Sequence, residues 1–357
     1  MMRTRRWCWF ALPSSAFLSV FLLVPGLSRK AQGQEACLTA TDMGPSAVSI
    51  LESTAKRYFQ MALSGDIATL QQNAAPSLAA SFGGVEAAVN DHKAEFAGAQ
   101  STVRPPYVLE ASGTAPLQRA EFFCGIYNSP DRVGFSIPNL PPGTYAVVIQ
   151  DVTTTKGPKY SVTMILQEKA AAGASSAQSE NPEATLATGT WQLAGYYVRP
   201  GTLNGHDGQW FLNQAQQYKA KGQNLNAYYY YIEARQLLSP VDFMGTPQLD
   251  KIYDDTQQVV PKDMPVNGPM DNAIGGQTYK LLQVFPVHVA QDLDLVIRYQ
   301  VPDISNTTQT FQQNMNLIKA FVAKYPEVRG AFDGVVARAV NPSGQDYGSL
   351  LPMKEIK

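Results

Sequence analysis

The 357-residue chain is 45% hydrophobic, an ordinary globular content, and it is too long for one small core, so two or three packed bodies are expected. It carries 28 basic and 29 acidic side chains, but Arg3, Arg5, Arg6, Arg29 and Lys30 fall in the first 33 residues, which hold no acid. Beyond residue 33 the balance is 23 to 29, a net charge near −6, which argues against nucleic acid and anionic membrane as partners.

The basic start is followed by an apolar run from Trp7 to Leu27 and by Ala31-Gln32-Gly33, small residues at the two positions a signal peptidase reads. Residues 1–33 therefore read as a secretory signal peptide cut before Gln34. The protein is expected to be exported, to the periplasm or outside the cell, with no membrane span once the segment is removed. An uncleaved N-terminal anchor is the alternative, because the run is about long enough to cross a bilayer, although Pro13, Ser14, Ser15 and Pro25 interrupt it. Thr4-Arg5-Arg6 followed by aromatics has the outline of a twin-arginine signal, and no cysteine in a lipobox follows the run. Cys8 leaves with the signal. The remaining pair, Cys37 and Cys124, reads as a disulfide in an oxidising compartment, stapling the exported N-terminus to a strand. Two unrelated thiols, with Cys124 buried beside Phe122 and Ile126, are the other reading.

Residues 45–97 predict three helices. Val48, Leu51, Ala55, Tyr58, Phe59 and Ala62 recur at helical spacing, and Ser64-Gly65-Asp66 closes that helix and caps the next. A short helix with Ile67 and Leu70 ends near Pro76, and a third places Val85, Val89, His92 and Phe96 on one seam. From Tyr107 to Arg199 the period changes to two: Ala120, Phe122, Cys124 and Ile126 share a face, as do Val133, Phe135 and Ile137. Pro138 to Gly143 reads as a rigid turn, and Tyr145–Val152 and Tyr160–Leu166 as longer strands. Residues 169–189, small and polar, predict a mobile loop, and Trp191–Arg199 resumes the strand pattern.

Ala62-Leu63-Ser64-Gly65-Asp66 between the first helices, and Thr190-Trp191-Gln192-Leu193-Ala194-Gly195-Tyr196-Tyr197-Val198-Arg199-Pro200 as a closing strand, resemble the nuclear-transport-factor-like (cystatin-like, ketosteroid-isomerase-type) superfamily over residues 45–200. The resemblance implies three helices on a bent antiparallel sheet with a cone-shaped cavity between them. Enzymes of that superfamily, such as isomerases, cyclases and dehydratases, use acids, histidines and tyrosines inside the cone; Tyr58, His92, Tyr107 and Trp191 are the candidates here, with no residue matched to a catalytic pattern. Many exported relatives are thought to be binding or accessory modules.

Within 207–240, Phe211, Ala215, Tyr218, Gly222, Ala227, Tyr231 and Ala234 resemble the large, small, aromatic and glycine positions of a tetratricopeptide repeat. A single such hairpin cannot bury its own face and must lean on neighbours. Tyr228 to Tyr231 point nearly all around a helix axis, so that helix is expected to be covered on more than one side; an aromatic peptide-binding face using Tyr228 and Tyr229 is the alternative. A helix near Leu249–Val259 and a Pro/Gly-rich connector follow.

Leu281 to Val289 and Leu293 to Val301 alternate as a hairpin. Asn306 caps a helix whose Phe311, Met315, Ile318, Val322 and Tyr325 form an apolar stripe, and Phe332–Val340 is a third strand before Asn341-Pro342-Ser343-Gly344 turns the chain into a last extended stretch. The expected class is α+β, divided as signal peptide 1–33, cone domain 34–200, helical hairpin region 201–260, linker 261–277 and a small antiparallel α+β domain 278–357.

Chemistry-bearing motifs are scarce. His92 on an apolar seam reads as a cavity base or, more simply, a satisfied core or rim histidine. His206 reads as part of a turn, and His288 as exposed on its strand. No metal-ligand spacing, nucleophile elbow, phosphate loop or dinucleotide motif occurs, so no metal or cofactor is implied. Asp254-Asp255 reads as a solvated helix end, and Asn306-Thr307-Thr308 as a cap. The expectation is an exported, non-enzymatic binding or accessory protein of the cell envelope. It would engage a protein or a small apolar ligand through the cone, with Trp191, or through the hairpin, with Tyr228 and Tyr229. The alternative is a small-molecule isomerase, dehydratase or hydrolase with His92, Tyr58 and Tyr107 in the cone.

Overall fold

The structure, a computed structural model, describes residues 35–169, 186, 188–289 and 292–357; the expected signal peptide and most of the expected loop at 169–189 lie outside them. The chain enters through β1 (Ala36–Leu38) and turns into α1 (Pro45–Ser64), which has proline in its first turn and buries Ala47, Leu51, Ala55, Tyr58, Phe59 and Ala62. Gly65, at φ 71°, takes the left-handed position that ends the helix, and the N–H groups of Gly65 and Asp66 close on the Ala62 and Met61 carbonyls at 3.0 and 2.9 Å. The Asp66 carboxylate then caps α2 (Ile67–Gln72) by accepting the Thr69 N–H. The remainder differs from the expected single helix. Pro76, lacking an N–H, opens a separate turn, α3 (Pro76–Ala79), and α4 (Gly83–His92) follows, so four helical segments replace three.

The strands are β2 (Gln100–Val103), β3 (Tyr107–Ala111), β4 (Leu117–Cys124), β5 (Val133–Leu140), β6 (Gly143–Thr153), β7 (Lys159–Glu168), β8 (Trp191–Pro200), β9 (Thr202–Leu203) and β10 (His206–Asp207). The main antiparallel sheet runs β1-β3-β6-β7-β8, with β2 also on β6. Its inner face, Ala146, Val148, Val152, Val162, Met164 and Leu166, packs on the helices. Tyr145, Val147 and Ile149 face the other way. Because β6 is apolar on both faces, it requires a second cover. That cover is a separate sheet, β4 and β5 with the later β11 (Met244–Gly245), in the order β11-β5-β4. Cys37 and Cys124 are disulfide-bonded, with Cα atoms 5.1 Å apart, and so tie the edge of one sheet to the edge of the other. Ile126 does not continue the buried face of β4: Gly125 (φ 87°) starts the turn, and Ile126 is exposed with Phe123 and Tyr127 at its tip.

Next come α5 (Gly208–Ala220) and α6 (Asn224–Leu238), an antiparallel pair. A Cβ on Gly208 would meet Leu238 Cγ at 2.6 Å and the Ala234 carbonyl oxygen at 3.1 Å, so the helices approach too closely there for a side chain. The hairpin shares one core with the C-terminal unit. Tyr218, Tyr229 and Tyr230 each donate a hydroxyl, at 2.7 Å, to the carbonyls of Gly330, Val284 and Ala331 respectively. After α7 (Pro247–Gln257), the expected linker contains a strand, β12 (Met270–Ile274). It joins β13 (Gln277–Val289), β14 (Asp292–Gln300), β15 (Gly334–Val340) and β16 (Asp346–Pro352) in sequence order.

This last sheet is mixed, not purely antiparallel, because β14 and β15 run parallel. The 18 residues of α8 (Thr307–Lys324) carry the chain back across the sheet to its starting end, the crossover a parallel pair requires. The buried stripe of α8 is also rotated from the expected one: Phe311 is 41% exposed, whereas Thr310, Asn314, Leu317 and Phe321 are buried with Ile318 and Val322. Asn314 explains the rotation. Its carboxamide accepts the Tyr299 hydroxyl at 2.8 Å and donates to Ser349 Oγ at 2.9 Å, a network that places a polar residue inward. The architecture is α+β throughout, and the described residues fall in a single compact unit.

Candidate functional site

The space between the first helices and the inner face of the main sheet is filled by side chains. Leu51, Tyr58, Phe59, Leu70, Phe96 and Trp191 are each at most 2% exposed there. Tyr58 donates its hydroxyl to the Trp191 carbonyl at 2.8 Å, which engages it in backbone packing. The indole N–H of buried Trp191 has no acceptor among the described residues. Tyr107 belongs to the opposite layer, its ring 5.3 Å from Phe135, so it cannot share a cavity with Tyr58. His92 is half-buried at the rim: Nδ1 donates to the Ala88 carbonyl at 2.8 Å, and its ring lies 5.4 Å from Phe96 and 5.6 Å from Tyr160. The residues proposed for cone chemistry are thus dispersed.

The hairpin aromatics are likewise mostly covered. Tyr229, Tyr230 and Tyr231 are buried and Tyr228 is half-buried. Burial pushes the Tyr229 hydroxyl well above the ordinary phenol range, so it acts as a fixed donor. His206, expected in a turn, lies in β10 directly after the turn at Asn204-Gly205 and stacks on Trp210 with ring centroids 3.8 Å apart. Asp255 is not a free helix end. Burial alone would raise its pKa, but hydrogen bonds from Lys251 and Lys219, both 3.1 Å away, outweigh that and hold it below the usual range.

Two concavities meet at His288. The first, of about 530 Å³, lies between α6 and β13. Its apolar walls include Tyr228, Ile232, Val266 and Phe285. The second, of about 890 Å³, separates the first layers from the rest and includes Glu95, Lys156, Tyr160 and Asn204. The Tyr160 hydroxyl is raised above the phenol range by burial and by its hydrogen bond with Glu95. At the junction, Nε2 of His288 donates to the Glu233 carboxylate at 3.0 Å; the Glu233 side chain is 4% exposed and that of His288 34%. The strand register produces this pairing. His288 lies opposite Leu293, on the face of the sheet that joins the shared core, and so reaches α6. His288 is exposed as expected, but it stands on the core-facing side of β13, not opposite it, because the register shifts between Leu281 and Gln283, and its buried partner is not apparent from local sequence. One signal was present: Glu233 stands one turn from Tyr229 and Tyr230 on a helix of buried aromatics, and a carboxylate in such a stripe requires a partner.

β13 also has an open edge beside the first groove. β12 pairs with it only from Gln277 to Leu281, so among the described residues Gln283 to Val289 have no strand partner on that side. The Val284 carbonyl points into the groove and accepts the Tyr229 hydroxyl. Among the described residues no three of His, Cys, Asp and Glu gather to hold a metal ion, and no helix is long and apolar enough to cross a membrane. The chain matches no family model, no curated protein and no solved structure.

Proposed function

We propose that this is an exported, non-enzymatic binding or accessory protein of the cell envelope whose ligand occupies the groove between α6 and β13, not the cone. The observation that carries this reading is the contrast in packing. The cone interior is filled by Leu51, Tyr58, Phe59 and Trp191, whereas apolar walls converge with a polar pair at Glu233 and His288. The helical segments followed by an antiparallel sheet support a distant relation of residues 45–200 to the nuclear-transport-factor-like superfamily, with the cavity closed by side chains. The close α5–α6 approach at Gly208 supports the tetratricopeptide-like reading of the hairpin, with its aromatic faces turned to structural use. Export rests on the sequence of residues 1–33, which also suits the disulfide.

A fragment screen followed by imidazole NMR tests the placement. Binding fragments are expected to move the His288 resonances and leave those of His92 unchanged. Fragments that instead change Trp191 fluorescence, or that move no histidine, would overturn it. One observation favours a second reading, an acid–base enzyme: a buried carboxylate holding an imidazole at a groove edge is how a general base is oriented. Among the described residues no serine, threonine or cysteine lines that groove, and this second reading rests on the imidazole and carboxylate as proton-transfer groups.

A further inference from the structure

We propose that the α6–β13 groove takes an extended peptide segment, which adds as a strand to the free edge of β13; this rests on the binding reading above and names its ligand class. A small apolar molecule would use only the walls of the groove. An unpaired strand edge offers something more specific, a row of main-chain donors and acceptors that only another extended chain can satisfy in register. In an antiparallel ladder successive residues direct these groups alternately to either side. The Val284 carbonyl faces α6, where it accepts the Tyr229 hydroxyl, so Val284, Pro286 and His288 direct theirs away from β14. From Val284 to His288 the edge runs about 13 Å at a strand's rise, room for a partner of about five residues.

Pro286 decides how selective this edge is. It has no N–H, so a continuous ladder cannot form and casual pairing with any exposed strand is discouraged. Among the described residues, the Val284 N–H, the Pro286 carbonyl and both main-chain groups of His288 remain for an incoming segment. Alternate side chains of that segment would meet Tyr228 and Ile232 on one face and Phe285 on the other, which calls for apolar residues. At one end the segment would pass the Glu233–His288 pair.

The test is selection of random heptapeptides displayed on phage against protein produced from the full-length gene, then amide hydrogen exchange with the synthesised winners. Bound peptide is expected to slow exchange at the Val284 and His288 amides in the unaltered protein. Pro286→Ala is expected to tighten peptide binding about 2- to 10-fold, because it restores one donor aimed at the ligand. Peptides that bind without protecting those two amides would overturn the proposal, as would a Pro286→Ala variant that folds and binds them no more tightly. If no peptide is selected while fragments still move His288, the groove reading survives and the peptide inference fails. If neither peptides nor fragments act at the groove, both fail.

Discussion

A carboxylate removed from water must be paired, neutralised or tolerated at a cost, and two acids of this protein meet that requirement differently. Glu233 is paired by His288. Asp294, 3% exposed on β14, has its pKa raised first by burial and then by Asp292 and Asp333. The sign follows from linkage. A raised native pKa means that the folded state binds the proton more tightly, so ionised Asp294 penalises folding fully above its native pKa, and the penalty fades as pH falls toward the unfolded value of about 3.9. Asp294→Asn is therefore expected to raise the melting temperature at pH 7 and to lose that advantage near pH 4, as thermal unfolding across that range would reveal. Glu233 gave one local signal, its place among buried aromatics, without naming its partner, and Asp294 gave none. Asp294 sits in a strand whose alternation predicts an outward side chain, and its burial comes from strands placed beside it by the fold.

At the scale of the element, α8 tests whether apolar count or polar satisfaction orients a helix. Phe311 and Met315 outnumber Asn314 in the sequence stripe, yet Asn314 faces inward because Tyr299 and Ser349 give its amide partners. Asn314→Leu is expected to destabilise by roughly 1–3 kcal/mol, since it leaves the buried Tyr299 hydroxyl without its acceptor, while Phe311→Ser changes stability by less than about 0.5 kcal/mol. Urea denaturation of both variants gives the comparison, and equal losses would show that the stripe is set by apolar burial alone. Helices whose ends carry their own signals were legible: Gly65, Asp66 and Asn306 mark boundaries that the structure shares. The second helix, expected to end near Pro76, stops at Gln72, and Pro76 opens a short helix of its own, where its missing N–H costs nothing.

For the molecule as a whole, the disulfide joins layers that the chain connects only through 87 residues, from β1 to β4. Closing so long a loop restricts the unfolded chain, so Cys37→Ser is expected to cost about 2–5 kcal/mol, and reduction of the unaltered protein should lower the denaturation midpoint correspondingly. An unchanged midpoint under reducing conditions would mean that the layers are held by their apolar contacts alone. The same scale explains why the connector between the hairpin and the last unit is not a hinge. β11 pairs with β5, and β12 joins the C-terminal sheet, so segments on both sides of α7 are bound into sheets.

Local pattern was enough for the class, most element types and the caps, because spacing of apolar residues, missing donors and left-handed glycines act within a few residues of themselves; of the two readings open for Cys37 and Cys124, the structure has the bridge. The separate second sheet, the parallel β14–β15 pair, the filled cone and the meeting of Glu233 with His288 arise from contacts between residues far apart in the chain. Glu233 and His288 are 55 positions apart, and whether their side chains touch depends on the register of β13 and the rotation of α6. Those are set by how whole layers bury their faces, a property no single segment carries.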